Sequence, residues 1–248
     1  KGAGRFTNVI GTALPHTPFF SMGADIADLD NDGWIDLLAT DMLATTHFKQ
    51  KVQMGEEPDN AFAVSLLPTP QYMRNALYLN TGTGHFLEAA YLAELAATDW
   101  TWSPKFGDFD NDGWVDLFIT NGQIRNYIHA DDFERDSAVY KNDSGGQAMV
   151  DSMRVRPVLN ERNLVFRNLG DLNFKEIGSA WGLDHSGVSS GSALADLDRD
   201  GDLDLVYSNY DAPLTVCRND SDAGNRVLLR LVGRSSNRFG VGSEGKIK

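Results

Sequence analysis

The chain has 248 residues, 42% of them hydrophobic, and a formal net charge of −13 from 35 acidic against 22 basic side chains. That length supports one large domain or two small ones with a real core, while the charge argues against nucleic acid or an anionic membrane surface as principal partner. No apolar run is long enough to span a membrane as a helix, and the single cysteine, Cys217, reads as a small buried hydrophobe with no intrachain partner.

Taken in chain order, "GRFTNVI" at the start has the apolar pattern of an outer strand belonging to a preceding repeat. Three acidic loops follow: "DLDNDGWID" over Asp28 to Asp36, "DFDNDGWVD" over Asp108 to Asp116 and "DLDRDGDLD" over Asp196 to Asp204, spaced 80 and 88 residues apart. Each is trailed by a short strand-forming run, "IDLLAT", "VDLFIT" or "LDLVYS". A second pair of runs around a Gly- or Asp-rich turn comes later in each copy, with Asn80, Asn168 and Asn219 at matching places. A repeat at this period is the dominant fact about the fold.

Each unit therefore reads as four antiparallel strands, A and B flanking the acidic loop and C and D forming a hairpin. Four-stranded units repeated radially predict an all-β chain of propeller blades. The blades are expected from Met22 to Ala90, Ser103 to Ile177 and Ser190 to Val232. Propellers close with roughly 4 to 8 blades, so three visible blades predict part of a larger ring of about seven, completed by other blades or chains. "KGAGRF" and "GSEGKIK" lack the look of natural termini, which points to a window cut from a longer protein, so the lack of a signal peptide carries little weight.

Carboxylates at positions 1, 3, 5 and 9 of a tight loop, with glycine at position 6 and the carbonyl of position 7, make an all-oxygen cage for a cation of calcium size. The predicted ligands are Asp28, Asp30, Asp32, Asp36 and the Trp34 carbonyl; Asp108, Asp110, Asp112, Asp116 and the Trp114 carbonyl; and Asp196, Asp198, Asp200, Asp204 and the Asp202 carbonyl. Three Ca2+ ions would offset about half of the net charge. An EF-hand is excluded, because position 12 is Ala39, Ile119 and Tyr207 where that motif needs a bidentate Glu. Acidic surface turns explain one copy but not three in matched strand contexts. The ions are expected to be structural, with affinities of roughly 10⁻⁴ to 10⁻³ M.

"FGDFDNDGWVDLFITNG" and "SMGADIADLDNDGWIDLLATD" resemble the FG-GAP/VCBS repeat of calcium-binding β-propellers, which is also seen in integrin α-subunit heads. "NRVLLRLVGRSSNRFGVGSEGKI" resembles the start of the ASPIC/UnbV domain that follows such repeats in cartilage acidic protein-like and bacterial exported proteins. The resemblance divides the chain into propeller repeats over 1–224 and an incomplete ASPIC/UnbV-like segment over 225–248. It implies a secreted, periplasmic or surface-attached module of adhesion type that binds a protein or glycan ligand. Some polysaccharide lyases and sugar dehydratases share such propellers, so a carbohydrate-active enzyme is the alternative.

Strand alternation puts the acidic loops at one end of the blades and the long connections at the other. These connections run from Asp41 to Asn75, Tyr91 to Trp102, Asn121 to Asn163 and Gly178 to Ser189, and "DDFERDSAVYKN" (131–142) is expected to hold a short helix. Trp100, Trp102, Tyr127, Arg125, Trp181 and His185 form a candidate ligand face there, suited to stacking on sugars or anchoring a protein. Packing between blades is the competing explanation for any single Trp. The five histidines have no zinc-type spacing, and no nucleophile motif is present.

Overall fold

The computed structural model describes residues 4–53, 69–127, 129–132, 146–221, 229 and 231–233. Ile10–Ala13 (α1) and Thr17–Pro18 (β1) precede the first blade. That blade is an antiparallel meander of Gly23–Ala27 (β2), Asp36–Thr40 (β3), Ala76–Asn80 (β5) and Phe86–Glu88 (β6). His47–Val52 (α2) and Gln71–Tyr72 (β4) lie in its long β3 to β5 connection, and β4 runs parallel to β1.

The second blade repeats the pattern with Thr101–Gly107 (β7), Asp116–Asn121 (β8), Leu164–Asn168 (β10) and Phe174–Glu176 (β11). Gln147–Arg154 (α3) and Glu161–Arg162 (β9) interrupt its long connection, and Gly178–Trp181 (α4) follows β11. Ser186–Gly187 (β12) pairs with β9 and leads into the third sheet, Ser189–Ala195 (β13), Asp204–Asn209 (β14) and Thr215–Cys217 (β15). The chain is thus all-β, built from propeller blades that do not close a ring among the described residues.

Two expectations change. "GRFTNVI" is not a strand: residues 5–9 are irregular, and Ile10 N–H donates to Asn8 Oδ1 at 3.0 Å where α1 begins. A strand needs a partner for its backbone groups, and here a local side-chain bond opens one helical turn instead. The third sheet has three strands, because the segment expected to supply its fourth lies mostly outside the described residues, and 229 and 231–233 are irregular. Of the helix expected over 131–142, residues 131 and 132 are helical and the rest lies outside the described residues, as does most of the ASPIC/UnbV-like segment.

Blades stack face to face, and burial along the B strands shows the order. In β8, flanked on both sides, every residue is buried. In β3, Leu38 points to the second blade and is fully buried, while Leu37 and Ala39 face the other way and are half-buried. In β14 the pattern inverts: Leu205 and Tyr207 are buried against the second blade and Val206 is half-buried. One residue type per face is what period-two alternation produces when each sheet is sandwiched.

Two apolar seams result. Leu29, Leu38 and Leu77 meet Leu117, Ile119, Leu164, Phe166 and Phe174 across the first, and Phe109, Phe118 and Val165 meet Leu205 and Tyr207 across the second. Cys217 is half-buried on the second seam. Burying each large side chain contributes about 1.5–3 kcal/mol, so the seams hold the blades together. Ile26 and Leu197 occupy positions equivalent to the covered Phe106 and Leu29, yet are 61% and 53% exposed, because each lies on an outer face of the stack.

Candidate metal centres and the opposite face

The three acidic loops share one backbone design. Position 6 glycines Gly33, Gly113 and Gly201 have φ of 91°, 90° and 99°, and position 4 residues Asn31, Asn111 and Arg199 are also left-handed, at 59°, 55° and 69°. Two left-handed residues in three curl the chain tightly enough to turn successive carboxylates inward. Asp28, Asp108 and Asp196 each accept from the position 6 N–H at 2.9, 3.0 and 3.2 Å. Asp32, Asp112 and Asp200 accept from the position 7 N–H at 2.7, 2.9 and 2.9 Å.

The ninth aspartate ties loop to sheet. Asp36 is buried and accepts from Leu29 N–H at 3.0 Å and Asn80 N–H at 2.8 Å. Asp116 does the same with Phe109 and Asn168, both at 2.9 Å, and Asp204 with Leu197 and Asn219, both at 2.8 Å. Each oxygen keeps a lone pair free for a second interaction.

The matched asparagines then join blade to blade. Asn168 Nδ2 donates to Leu29 O of the preceding blade at 2.9 Å, and Asn219 Nδ2 to Phe109 O at 2.7 Å. Neighbouring loops are also bonded directly: Asn31 Nδ2 reaches Gly113 O at 3.1 Å, and Asn111 Nδ2 reaches Asp202 Oδ1 at 2.7 Å. All three loops therefore lie at one end of the stack, as strand alternation requires.

Carboxylate oxygens converge within 4.8 Å in each loop: Asp28, Asp30 and Asp32; Asp108, Asp110 and Asp116; Asp196, Asp198 and Asp204. Positions 1 and 3 come together every time, with position 5 completing the first loop and position 9 the other two. Asp110 Oδ1 and Asp196 Oδ1 are buried and accept no hydrogen bond. An unpartnered carboxylate oxygen inside a ring of carboxylates is costly unless a cation meets it, so these residues fit a hard metal ion. Burial pushes the Asp116 carboxyl up to about 7 and also raises Asp30, Asp36, Asp108 and Asp110, with the neighbouring aspartates adding to the effect.

The tryptophans at position 7 also pack. A side chain at Gly82 would meet the Trp34 ring at 2.7 Å, and one at Gly170 would meet Trp114 at 3.0 Å. Each indole lies over the C to D turn glycine of its own blade, which leaves only the backbone carbonyl for a metal.

The candidate ligand face is partly assembled at the opposite end. Trp100 and Trp102 stand 6.3 Å apart by ring centroid, and Trp102 Nε1 donates to Gly122 O at 2.6 Å. Arg125 and His185 line one cleft of about 370 Å³ with Asn160, Asn209 and Tyr210, and Tyr127 lies on the connection that carries Arg125. Trp181 departs from this set. It packs edge-on against Phe109 at 6.2 Å and lines a cleft with Asp110 and Asn219, between the second and third blades near the acidic loops. The helical turn of α4 carries it back along the seam, where its indole finds apolar cover.

One polar cluster has no signal in sequence spacing. Lys49 Nζ on α2 bridges Asp99 at 2.9 Å and Glu161 at 2.6 Å, and both carboxylates are buried. Asp99 also accepts from the Thr45 N–H and hydroxyl. The cluster lines a cavity of about 460 Å³ with Arg162 and Ser186, and it pins α2 across the first two blades.

Stacked four-stranded meanders, each opening on an aspartate loop able to hold a metal ion, define the class: an all-β protein of β-propeller blades. Residues 60–119 and 158–207 match the FG-GAP-like repeat, which supports membership of that repeat class for these two segments. A 55-residue stretch is 44% identical to cartilage acidic protein 1 of Xenopus tropicalis, covering 22% of this chain and 8% of that protein. The chain therefore spans a small part of that relative. Among the described residues no helix is long and apolar enough to cross a membrane.

Proposed function

We propose that this chain is a calcium-stabilised stretch of extracellular or cell-envelope β-propeller that serves as an interaction module for a protein or glycan. The observation that carries the calcium reading is the threefold recurrence of converging carboxylates, two of them with a buried oxygen that accepts nothing. Calcium would supply the counter-charge that lets these groups ionise, and Asp28, Asp30, Asp32, Asp36 and their counterparts would hold it together with the position 7 carbonyls of Trp34, Trp114 and Asp202. The protein's own contribution is to fix the A to B turn, through the ninth aspartate, to the end of strand C. Because those turns also bond to one another, an ion in one loop stabilises the seam beside it.

The FG-GAP-like match and the partial relative support the extracellular interaction reading. Recognition is assigned to the long-connection face, where Trp102 is 37% and Tyr127 36% exposed and where Arg125 and His185 line a cleft. Exposed aromatic and Arg side chains of this kind favour partner contacts. Thermal melting with and without excess EDTA tests the calcium reading, and an unchanged Tm sinks it. Replacing Trp100 and Trp102 together by Ala, followed by binding to glycan and protein arrays with far-UV circular dichroism as control, tests the face; retained binding by a folded variant refutes it.

A further inference from the structure

The three loops are alike in sequence but not in their surroundings. Arg167, the penultimate residue of β10, places Nη2 at 2.6 Å from Asp110 Oδ2 and 2.8 Å from Asp112 Oδ2 of the middle loop. The same position in the first blade is Leu79, which carries no charge. In the third blade it is Arg218, whose Nε bonds Asp220 at 2.7 Å and whose charge also acts on Asp198 and Asp200 of a loop that contains Arg199. The carboxylates of the middle loop thus hold a cation of the chain that those of the first loop lack among the ion pairs of the described residues.

We propose that Arg167 is a tethered counter-ion of the middle loop, making this loop less calcium-dependent and a weaker calcium site than the first loop, where Leu79 holds the same position. The inference rests on the calcium reading. The guanidinium bonds Asp110 and Asp112 through their Oδ2 atoms, so Asp110 Oδ1 stays buried without a partner, and Asp108 and Asp116 are not among its ion pairs. Arg167 thus positions two carboxylates and lowers the charge of the loop by one unit without filling the cage. Two effects follow from that single charge. Repulsion among the metal-free aspartates is relieved, and an incoming dication meets a weaker field. The site is more ordered when empty and gains less when filled.

The test compares the wild-type chain with Arg167→Leu, which copies the first blade, and Arg167→Lys, which keeps the charge. Terbium emission sensitised by Trp114 reports the middle loop on a background of Trp34→Phe and Trp181→Phe, the latter because Trp181 also lies near Asp110, with calcium used as the competitor and Trp114→Phe as the blank. Arg167→Leu is expected to tighten the middle site about tenfold at low ionic strength, an advantage that shrinks as salt screens the charge. It is also expected to lower Tm in EDTA while leaving Tm in saturating calcium nearly unchanged; Arg167→Lys is expected to stay close to wild type in all three readings. A middle-site affinity that is unchanged or weakened in Arg167→Leu overturns the inference even if the flanking loops bind calcium. Absence of calcium binding by all three loops, measured calorimetrically on the wild-type chain, removes the calcium reading itself and the inference with it.

Discussion

Replacing Asn168 by Ala should cost far more than replacing Asn80 by Ala, although the two occupy the same place in consecutive blades. Asn168 is fully buried, and its side chain makes three bonds: to Leu29 O at 2.9 Å, to Val115 O at 3.2 Å and from Gly170 N–H at 3.0 Å. Truncation strands two carbonyls and one N–H away from water, at about 1 kcal/mol or more each, giving roughly 3–4 kcal/mol. Asn80 is half-buried on an outer blade and makes two, to Ile35 O at 3.1 Å and from Gly82 N–H at 3.0 Å. Water can replace both, so the expected loss is about 1 kcal/mol. Asn219, with bonds to Phe109, Leu203 and Ser221 at a partly buried site, should fall between at about 2 kcal/mol. Urea unfolding in excess calcium, followed by tryptophan fluorescence and circular dichroism together, measures all three, with coincident transitions and equal m values required for the comparison. If Asn80→Ala costs as much as Asn168→Ala, the bond to the neighbouring blade contributes nothing and the stapling argument fails.

The remaining predictions use other contacts. In EDTA, Asp116 has a folded pKa near 7, above its unfolded value of 3.8, so its contribution to stability is full below the unfolded pKa and is lost as pH rises through about 7. Metal-free protein should therefore melt higher at pH 5 than at pH 8, whereas saturating calcium, which needs ionised carboxylates, should reverse the trend; Tm against pH in the two buffers decides. Lys49→Met leaves Asp99 and Glu161 buried without their shared cation and should cost about 2 kcal/mol after allowance for the partial exposure of Lys49, with Glu161→Gln in the same chain recovering part of it in a denaturant titration. Gly122→Ala should destabilise by about 2–3 kcal/mol, because its φ is 111° and the added methyl would sit 2.4 Å from Gly187 O across the second seam; a melt within a degree of wild type contradicts that placement.

The blades and their loops were legible in the sequence because both signals are local. Alternating apolar runs bury one face whatever lies beyond them, and aspartates two residues apart around a glycine can only converge. The matched asparagines were visible as a recurrence, but their reach to Leu29 and Phe109 crosses 139 and 110 residues of chain. The Lys49, Asp99 and Glu161 cluster likewise joins residues up to 112 apart. "GRFTNVI" misled because apolar composition fits a strand wherever a partner exists, and the local bond from Asn8 decided otherwise. Trp181 misled because its place in a connection said nothing of which end of the seam the α4 turn would reach.

Sequence by itself therefore determined the repeat, the strand order within a blade and the clustering of aspartates in each loop, three of the four predicted in each case, all set by spacing within a few residues. Only the tertiary structure decided which faces are sandwiched, which asparagines staple one blade to the next, and that Arg167 reaches the aspartates of the middle loop. Those depend on distances between segments far apart in the chain, which no local pattern encodes.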